Sequence, residues 1–170
     1  MAGDCFMEIQ ADKPGDMKGE STDSEHKGWI EIHSYSFSTS QAVGTASSTG
    51  GGRSGERCDL SDLSFTKDLD ATSTLLFRRC CQGEHLKKVT IKLYKATGGK
   101  DGGKQLYMEY ILHNSLVTSY SPSGGAGIPM ESVTLNPGKI ELKYTQTSQA
   151  DGKKGGVIPA WWDTLTNKGG

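Results

Sequence analysis

The sequence predicts a mainly β protein with antiparallel sheets, one helix and one long loop. Apolar residues recur with period two along much of the chain, as in Val89, Ile91 and Leu93, which alternate with polar residues. This alternation is typical of a half-buried antiparallel sheet. Only one segment breaks it with helical spacing, at residues 71–82. Glycine accounts for 23 of the 170 residues and clusters between the periodic segments, which indicates loops and turns.

Six segments are predicted to be strands: 5–10, 29–40, 58–66, 86–95, 105–120 and 131–146. In the second of them, the rings of Tyr35 and Phe37 alternate with the hydroxyl groups of Ser34, Ser36 and Ser38. Successive side chains of a strand point to opposite faces of the sheet. We therefore expect the rings to meet the core and the three serines to lie on the opposite, wet face.

The helix predicted at 71–82 has a candidate N-cap in Asp70 and a candidate left-handed stop in Gly83. A helical wheel places four residues on the arc that faces the sheet: Leu76, Phe77, Cys80 and Cys81. The opposite side holds Leu75, Arg78, Arg79 and Gln82. Both thiols are then expected to be buried and slow to react. Leu75 is expected to be either an ordinary exposed leucine or a contact to a neighbouring subunit.

A long loop is predicted at residues 41–57, between two strands. Most of its residues are Gly, Ser or Thr, and Val43 is its one sizeable apolar side chain. A loop of this length inside a compact domain usually indicates either function or disorder. It is the first place to look for an interaction site.

The C-terminal part of the sequence differs in composition from the rest. Residues 149–156 have the composition of a linker, and the apolar pair Trp161 and Trp162 follows. We therefore predict one domain at 1–148 and a tail at 149–170 that is flexible or covered by a partner.

Charge and cysteine content exclude several classes of protein. Lys and Arg number 19 against 20 Asp and Glu, so no global field attracts nucleic acid or anionic lipid. The N-terminus has no basic start followed by an apolar run, and no stretch reaches 18 apolar residues, so neither a Sec signal nor membrane insertion is expected. The four cysteines form no C-x-x-C pair and are expected to be reduced, which predicts folding in the cytoplasm.

No sequence motif predicts catalysis, a metal or a cofactor. The string GGGRSG at 50–55 matches a dinucleotide motif, but a strand follows it instead of a helix. At 98–105 a phosphate-loop-like string has Gln105 where Ser or Thr must hold magnesium. Ser54 lacks the second glycine of a nucleophile elbow, since Glu56 takes that position. The four histidines have no metal-ligand spacing.

Five strings of the sequence carry a resemblance to a known family: KGES with Asp23 and His26 (18–26), SYSFSTSQ (34–41), TGGGRSG (49–55), DLSFTKDLD (62–70) and VTLN (133–136). Together they resemble the haemolysin-coregulated protein (Hcp) family, the inner-tube subunit of the bacterial type VI secretion system. The resemblance covers residues 2–155. One departure lies at the helix start, where the family often has Ala-Ser-Pro and this chain has Ala71, Thr72 and Ser73.

The resemblance implies a small antiparallel β-barrel of two packed sheets with one flanking helix and an extended loop. It also implies homohexameric rings that stack into a hollow tube and carry and chaperone small effector proteins. Further implied partners are a contractile sheath and a VgrG-type spike protein. The chain would be cytoplasmic before firing and extracellular afterwards, by a route independent of Sec.

Under this resemblance, Ser34, Ser36 and Ser38 are expected to face the lumen and its cargo. A second set is expected at ring or stacking interfaces: Val43, Gly50, Gly51, Gly52, Arg53 and Leu75. The alternative is a stand-alone secreted β-sandwich binding module, which would normally carry a signal peptide or a disulfide.

Overall fold

The computed structural model describes residues 4–11, 17–43, 55–96, 103–147 and 154–170. Within these ranges the chain forms strands and one helix: β1 Cys5–Gln10, β2 Ile30–Glu31, β3 Ser34–Ser36, β4 Thr39–Val43, β5 Gly55–Leu60, β6 Leu63–Asp68, α1 Ser73–Gln82, β7 His85–Ala96, β8 Lys104–Ser123, β9 Met130–Asn136, β10 Lys139–Thr147, β11 Lys154–Asp163 and β12 Lys168–Gly169. The predicted mainly β fold with one helix is confirmed.

Ten strands form one antiparallel sheet, in which β8 is the longest element. On one side β8 pairs with β7, which continues through β1 to β2. On its other side β8 pairs with β10 and, farther along, with β9, and Pro137 and Gly138 separate these two strands. From β9 the pairing continues to β6 and β3, and from β10 it continues to β11 and β12. The part of the sheet that runs from β2 through β8 to β3 therefore curves back on itself. Strands β10, β11 and β12 extend the sheet away from this curved part.

The structure corrects two predictions at residues 32 and 33: the small β-barrel and the single strand at 29–40. The Ile32 N–H donates to the Cys5 carbonyl at 3.1 Å, and the His33 N–H donates to the Thr66 carbonyl at 2.8 Å. The chain thus changes its partner from β1 to β6 within two residues. This change separates β2, which pairs with β1, from β3, which pairs with β6, so the sheet does not close as a continuous barrel.

The core lies inside the curved sheet, where strand alternation places the apolar side chains. In β6, the inward positions are Leu63, Phe65 and Lys67, all buried, while their neighbours are half-buried. The largest fully buried apolar side chains are Phe65, Met7, Ile30, Leu63, Leu76, Leu86, Ile91, Leu112, Leu135 and Val89. Burying a side chain of this size contributes about 1.5–3 kcal/mol.

Helix α1 begins after a turn made by Asp70. The Asp70 carboxylate accepts hydrogen bonds from the Thr72 N–H at 2.8 Å and from the Thr72 hydroxyl at 2.5 Å. At the other end, Gly83 has φ 64° and its N–H donates to the Arg79 carbonyl. The predicted glycine stop is confirmed, because that φ is one that residues with a side chain rarely adopt.

The helix is rotated relative to the predicted wheel. Its buried residues are Ser73, Leu76 and Arg79. Phe77 is 55% exposed, whereas Leu75 packs partly against the core. Arg79 can be buried because its guanidinium is 2.8 Å from the Glu84 carboxylate and its charge is compensated there.

Residues 154–170 continue the sheet beyond β10. Strand β11 pairs with β10 from Asp163 opposite Lys139 to Lys154 opposite Thr147. The chain then turns back to β12, where Gly169 lies so close to Trp162 that a Cβ would be 2.5 Å from the indole ring. The sequence analysis did not predict β11 or β12. The division into a domain at 1–148 and a flexible or partner-covered tail at 149–170 stays a prediction.

Candidate assembly surfaces

Hydroxyl-bearing side chains cover the outer side of β3, β6, β9 and the end of β8. We call this set the hydroxyl face: Ser34, Ser36, Ser64, Thr66, Thr118, Ser132 and Thr134. The ladders place Ser34 opposite Thr66 and Ser36 opposite Ser64, so these side chains share one side of the sheet. The oxygens of Ser34 and Thr66 lie 2.7 Å apart, as do those of Thr118 and Thr134.

Hydrogen-bonded titratable side chains lie at the two ends of the hydroxyl face. At one end, Asp62 accepts hydrogen bonds from the Thr118 hydroxyl at 2.6 Å and from the Asn136 amide at 2.7 Å. At the other end, His33 Nε2 lies 3.0 Å from Asp68 Oδ1. The seven residues between these ends are uncharged, so the face offers hydrogen-bond donors and acceptors without a strong field.

All three serines predicted to face the lumen are exposed, but they do not all belong to one ladder. Ser34 and Ser36 lie in β3 and point outward, while Tyr35 between them packs against the core. Ser38 follows β3, and its N–H donates to the Ser61 hydroxyl at 2.7 Å. The Ser38 carbonyl accepts from the Ser61 N–H at 2.9 Å. Ser38 therefore marks the place where the next hairpin leaves the sheet.

Strands β4 and β5 form a separate two-stranded hairpin, which we call the arm. All residues of β4 are exposed, and the Val43 side chain is 55% exposed. The other predicted interface residues of this loop, Gly50, Gly51, Gly52 and Arg53, lie outside the described residues. The described parts of the predicted loop at 41–57 are thus strand structure, because residues 41–43 end β4 and residues 55–57 begin β5.

One side chain of the arm reaches the turn between β11 and β12, which we call the C-terminal turn. Arg57 Nη2 donates a hydrogen bond to the Thr164 carbonyl at 2.7 Å. A cleft of about 360 Å³ lies beside this contact, lined by Leu60 on the arm, by Pro137 and by the exposed Leu165. The arm and the C-terminal turn therefore form one composite surface.

Strand β11 exposes apolar side chains on both of its faces. Val157 and Trp161 lie on one face and are 56% and 38% exposed. Ile158 lies on the other face, 53% exposed, and pairs with Tyr144 of β10. In the described part of the chain, the outer edge of β11 pairs only near its end, with β12. A bare edge with apolar residues on both faces is typical of a strand that another chain covers.

A buried charged cluster joins α1 to the sheet. The Lys67 ammonium group is fully buried and lies 2.7 Å from both the Asp70 and the Glu131 carboxylates. The Tyr120 hydroxyl donates to the second oxygen of Glu131 at 2.8 Å. Burial and this hydrogen bond raise the pKa of Tyr120 to about 12. Sequence reasoning missed the cluster, although a lysine at an inward position of an alternating strand was a signal for it.

His26 has a structural role. Its ring stacks on Phe6 at 4.5 Å between centroids, and its nitrogens lie 2.9 Å from Asp23 and 2.8 Å from the Tyr94 hydroxyl. Hydrogen bonds from Lys104 and His26 hold the pKa of Asp23 well below its usual range. The cluster fastens the segment before β2 onto β1 and β7. Among the described residues, no group of three or more His, Cys, Asp or Glu could hold a metal.

Most residues of the strings that were rejected as catalytic motifs lie outside the described residues. Residues 50–54 and 98–102 lie outside the described ranges, and the Gln105 side chain is buried near the start of β8. The described segments also contain no helix that is long and apolar enough to cross a membrane.

Comparison with known proteins finds one family and several solved relatives. The model of a family described as "Type VI secretion system effector, Hcp" matches residues 6–144. Protein hcp1 of Pseudomonas aeruginosa is 35% identical over 170 residues, which cover 98% of both chains.

Solved structures show the same fold over nearly the whole chain. A structure of a type six secretion system protein has a TM-score of 0.84 at 27% identity and covers 99% of this chain and 100% of that one. The crystal structure of Hcp1 from Salmonella typhimurium has a TM-score of 0.76 at 26% identity, with 99% of each chain covered. Hcp2 from the same organism has a TM-score of 0.69 at 25% identity, covering 97% of this chain and 98% of that one.

Proposed function

The chain belongs to the Hcp family of type VI secretion system proteins, and from that premise we propose that it is the subunit of a hollow tube. Six copies form a ring, and rings stack into the tube. The observation that carries this proposal is the exposure of the arm and of β11, two β-structures whose edges and apolar side chains a single chain leaves uncovered. A neighbouring copy would cover both.

In this proposal the arm makes contact with a neighbouring subunit or ring. The residues assigned to that contact are Val43, Gly50, Gly51, Gly52 and Arg53. Glycine allows close approach of two backbones, which suits a segment that lies against another chain. Leu75 packs partly against its own core, so only its remaining exposed part is available for a ring contact.

The hydroxyl face, together with Ser38, would line the lumen. A hydroxyl group both donates and accepts a hydrogen bond, so this wall can contact many different cargo surfaces. Each such bond contributes only about 0.5–1.5 kcal/mol net, because cargo and wall also bond well to water. A lumen of this kind holds small effector proteins weakly enough to release them.

The work of the protein is then mechanical, with no catalytic residue and no cofactor. The subunit folds in the cytoplasm, assembles inside a contractile sheath beneath a VgrG-type spike protein, and is exported when the sheath contracts. Nucleic acid and membrane insertion have no part in this cycle.

Secretion in the bacterium that carries this chain tests the proposal. We expect the protein in the culture medium of wild-type cells and its loss from the medium, but not from the cells, when the sheath gene is deleted. Restoring the sheath should restore release, and a cytoplasmic enzyme measured in the medium controls for lysis. Equal release with and without the sheath would refute the proposed function.

A further inference from the structure

The arm makes few contacts outside its own ladder among the described residues, although its Leu60 packs partly against the core. It is a two-stranded ladder that is separate from the ten-stranded sheet, and an isolated hairpin is only marginally stable in water. At its base, Ser38 and Ser61 exchange hydrogen bonds. Farther along β5, the arm meets the rest of the molecule through the hydrogen bond from Arg57 to the Thr164 carbonyl.

The acceptor of this bond is itself held in place. The Thr164 hydroxyl donates to the Gly138 carbonyl at 2.7 Å, and the Thr164 N–H donates to the same oxygen at 3.0 Å. Asp163 Oδ1 accepts hydrogen bonds from the N–H groups of Leu165 and Thr166, both at 2.9 Å. The turn is therefore fixed on the connection between β9 and β10, at the end of the hydroxyl face.

We propose that Arg57 and the turn Asp163–Thr166 form a brace that sets the direction in which the arm leaves the sheet, and that this brace favours ring stacking. Arg57 is a positioning residue in this scheme. Its planar guanidinium group loses little conformational freedom per hydrogen bond, and the turn gives it a pre-formed acceptor. A segment that is already oriented loses less entropy when it docks, so the brace lowers the cost of stacking. The second half of this proposal rests on the proposed function, and the first half does not.

Amide hydrogen exchange measures the brace directly in the full chain. In Arg57→Ala, we expect amides of β4 and β5 to exchange about three- to tenfold faster than in wild type, the range expected for loss of one hydrogen bond. Amides of β7 should not change. Arg57→Lys, which keeps a charged donor, should restore part of the protection. Arg78→Ala, at an exposed arginine of α1, is the matched control and should leave the arm unchanged.

A double variant tests the partner side of the brace. Thr164→Val removes the hydroxyl that anchors the turn to Gly138 and should also speed exchange in the arm. Because both changes break one unit, Arg57→Ala with Thr164→Val should exchange little faster than Arg57→Ala alone. Two independent, multiplicative effects would contradict a brace.

Counting tubes by electron microscopy on the same samples separates the two halves. Faster exchange in the arm of Arg57→Ala together with fewer or shorter tubes supports the whole proposal. Unchanged exchange overturns the brace, whatever the tubes do. Faster exchange with unchanged tubes overturns the link to stacking. If wild type forms no rings or tubes while its arm still depends on Arg57, the proposed function and the stacking half fail and the brace stands.

Discussion

Lys67 is a buried cation that links the turn before α1 to β9. Its ammonium group is buried between the Asp70 and Glu131 carboxylates. Without this cation, the fully buried Glu131 carboxylate and the mostly buried Asp70 carboxylate would remain where water solvates them poorly, so removing one partner of such a cluster is costly.

We predict that Lys67→Met lowers the free energy of unfolding by about 3–5 kcal/mol, measured by urea denaturation. Adding Glu131→Gln should recover part of the loss, since it removes one of the uncompensated charges. Lys95→Met, at an exposed lysine of β7, should change stability by less than about 0.5 kcal/mol. Equal, small effects of Lys67→Met and Lys95→Met would show that the cluster does not stabilise the fold.

Thiol reactivity distinguishes the observed helix orientation from the predicted one. Cys81 is exposed on α1, although the sequence predicted it to be buried. Burial raises the pKa of Cys5 to about 12, so almost no reactive thiolate is present there at neutral pH. We predict that an aromatic disulfide reagent at pH 8 labels Cys81 rapidly and Cys5 only after denaturation. Cys81→Ser should remove the fast phase, whereas rapid labelling of Cys5 in the folded chain would contradict the structure.

Ser36 tests the proposed role of the hydroxyl face at one position. Ser36→Gln puts a longer amide into the lumen wall and should reduce retention of a co-purifying small effector, measured by pull-down, without changing ring formation. Thr74→Gln, on the exposed side of α1, is the matched control and should have no effect on retention. Retention that is equal in both variants would argue against a lumen role.

Among the elements, the helix shows where a sequence pattern is ambiguous. The wheel treated Arg79 as a solvent-facing charge, but the local partner Glu84 lets that side chain turn inward. Leu75 then packs partly against the core, and Phe77 lies outside against Tyr120 at 5.8 Å between centroids. Hydrophobicity alone cannot rank a phenylalanine and a paired arginine for burial.

Substitution of Leu75 and Phe77 tests the observed orientation of α1. Leu75→Asp should lower the free energy of unfolding by about 1–3 kcal/mol, because it places a charge against the core. Phe77→Asp should cost less, since that ring is already 55% exposed. Thermal unfolding at a concentration too low for ring formation measures both. A larger loss for Phe77→Asp would favour the orientation predicted from the sequence.

Sequence alternation identified strands where one face is covered and one is wet. Strand β7 is such a case, predicted at 86–95 and found at His85–Ala96. The single strand predicted at 131–146 is two strands, β9 and β10, which Pro137 and Gly138 separate. The prediction of one strand at 29–40 was wrong, because the alternation of side chains does not show the change of pairing partner at Ile32 and His33. Strand β11 was missed because it contains Gly155, Gly156 and Pro159 and exposes apolar residues on both faces.

At the scale of the whole molecule, family membership and structure complement each other. The family model ends at residue 144, before β11 begins, while the relative from P. aeruginosa aligns over nearly the whole chain. Residues 154–170 therefore could not be assigned from the family pattern, although they contribute β11 and β12 to the sheet. The hydroxyl face was partly predictable, since Ser34 and Ser36 alternate with core residues, but its continuation onto β6, β8 and β9 required the strand register.

In the proposed function, one copy of this chain is an incomplete unit whose arm and β11 are covered by other copies. Light scattering of the purified protein across a range of concentrations measures this most directly. We predict a particle with six times the 18.2 kDa mass of one chain, and larger species as rings stack. A particle with the mass of a single chain at high concentration would contradict the claim and favour a stand-alone binding module.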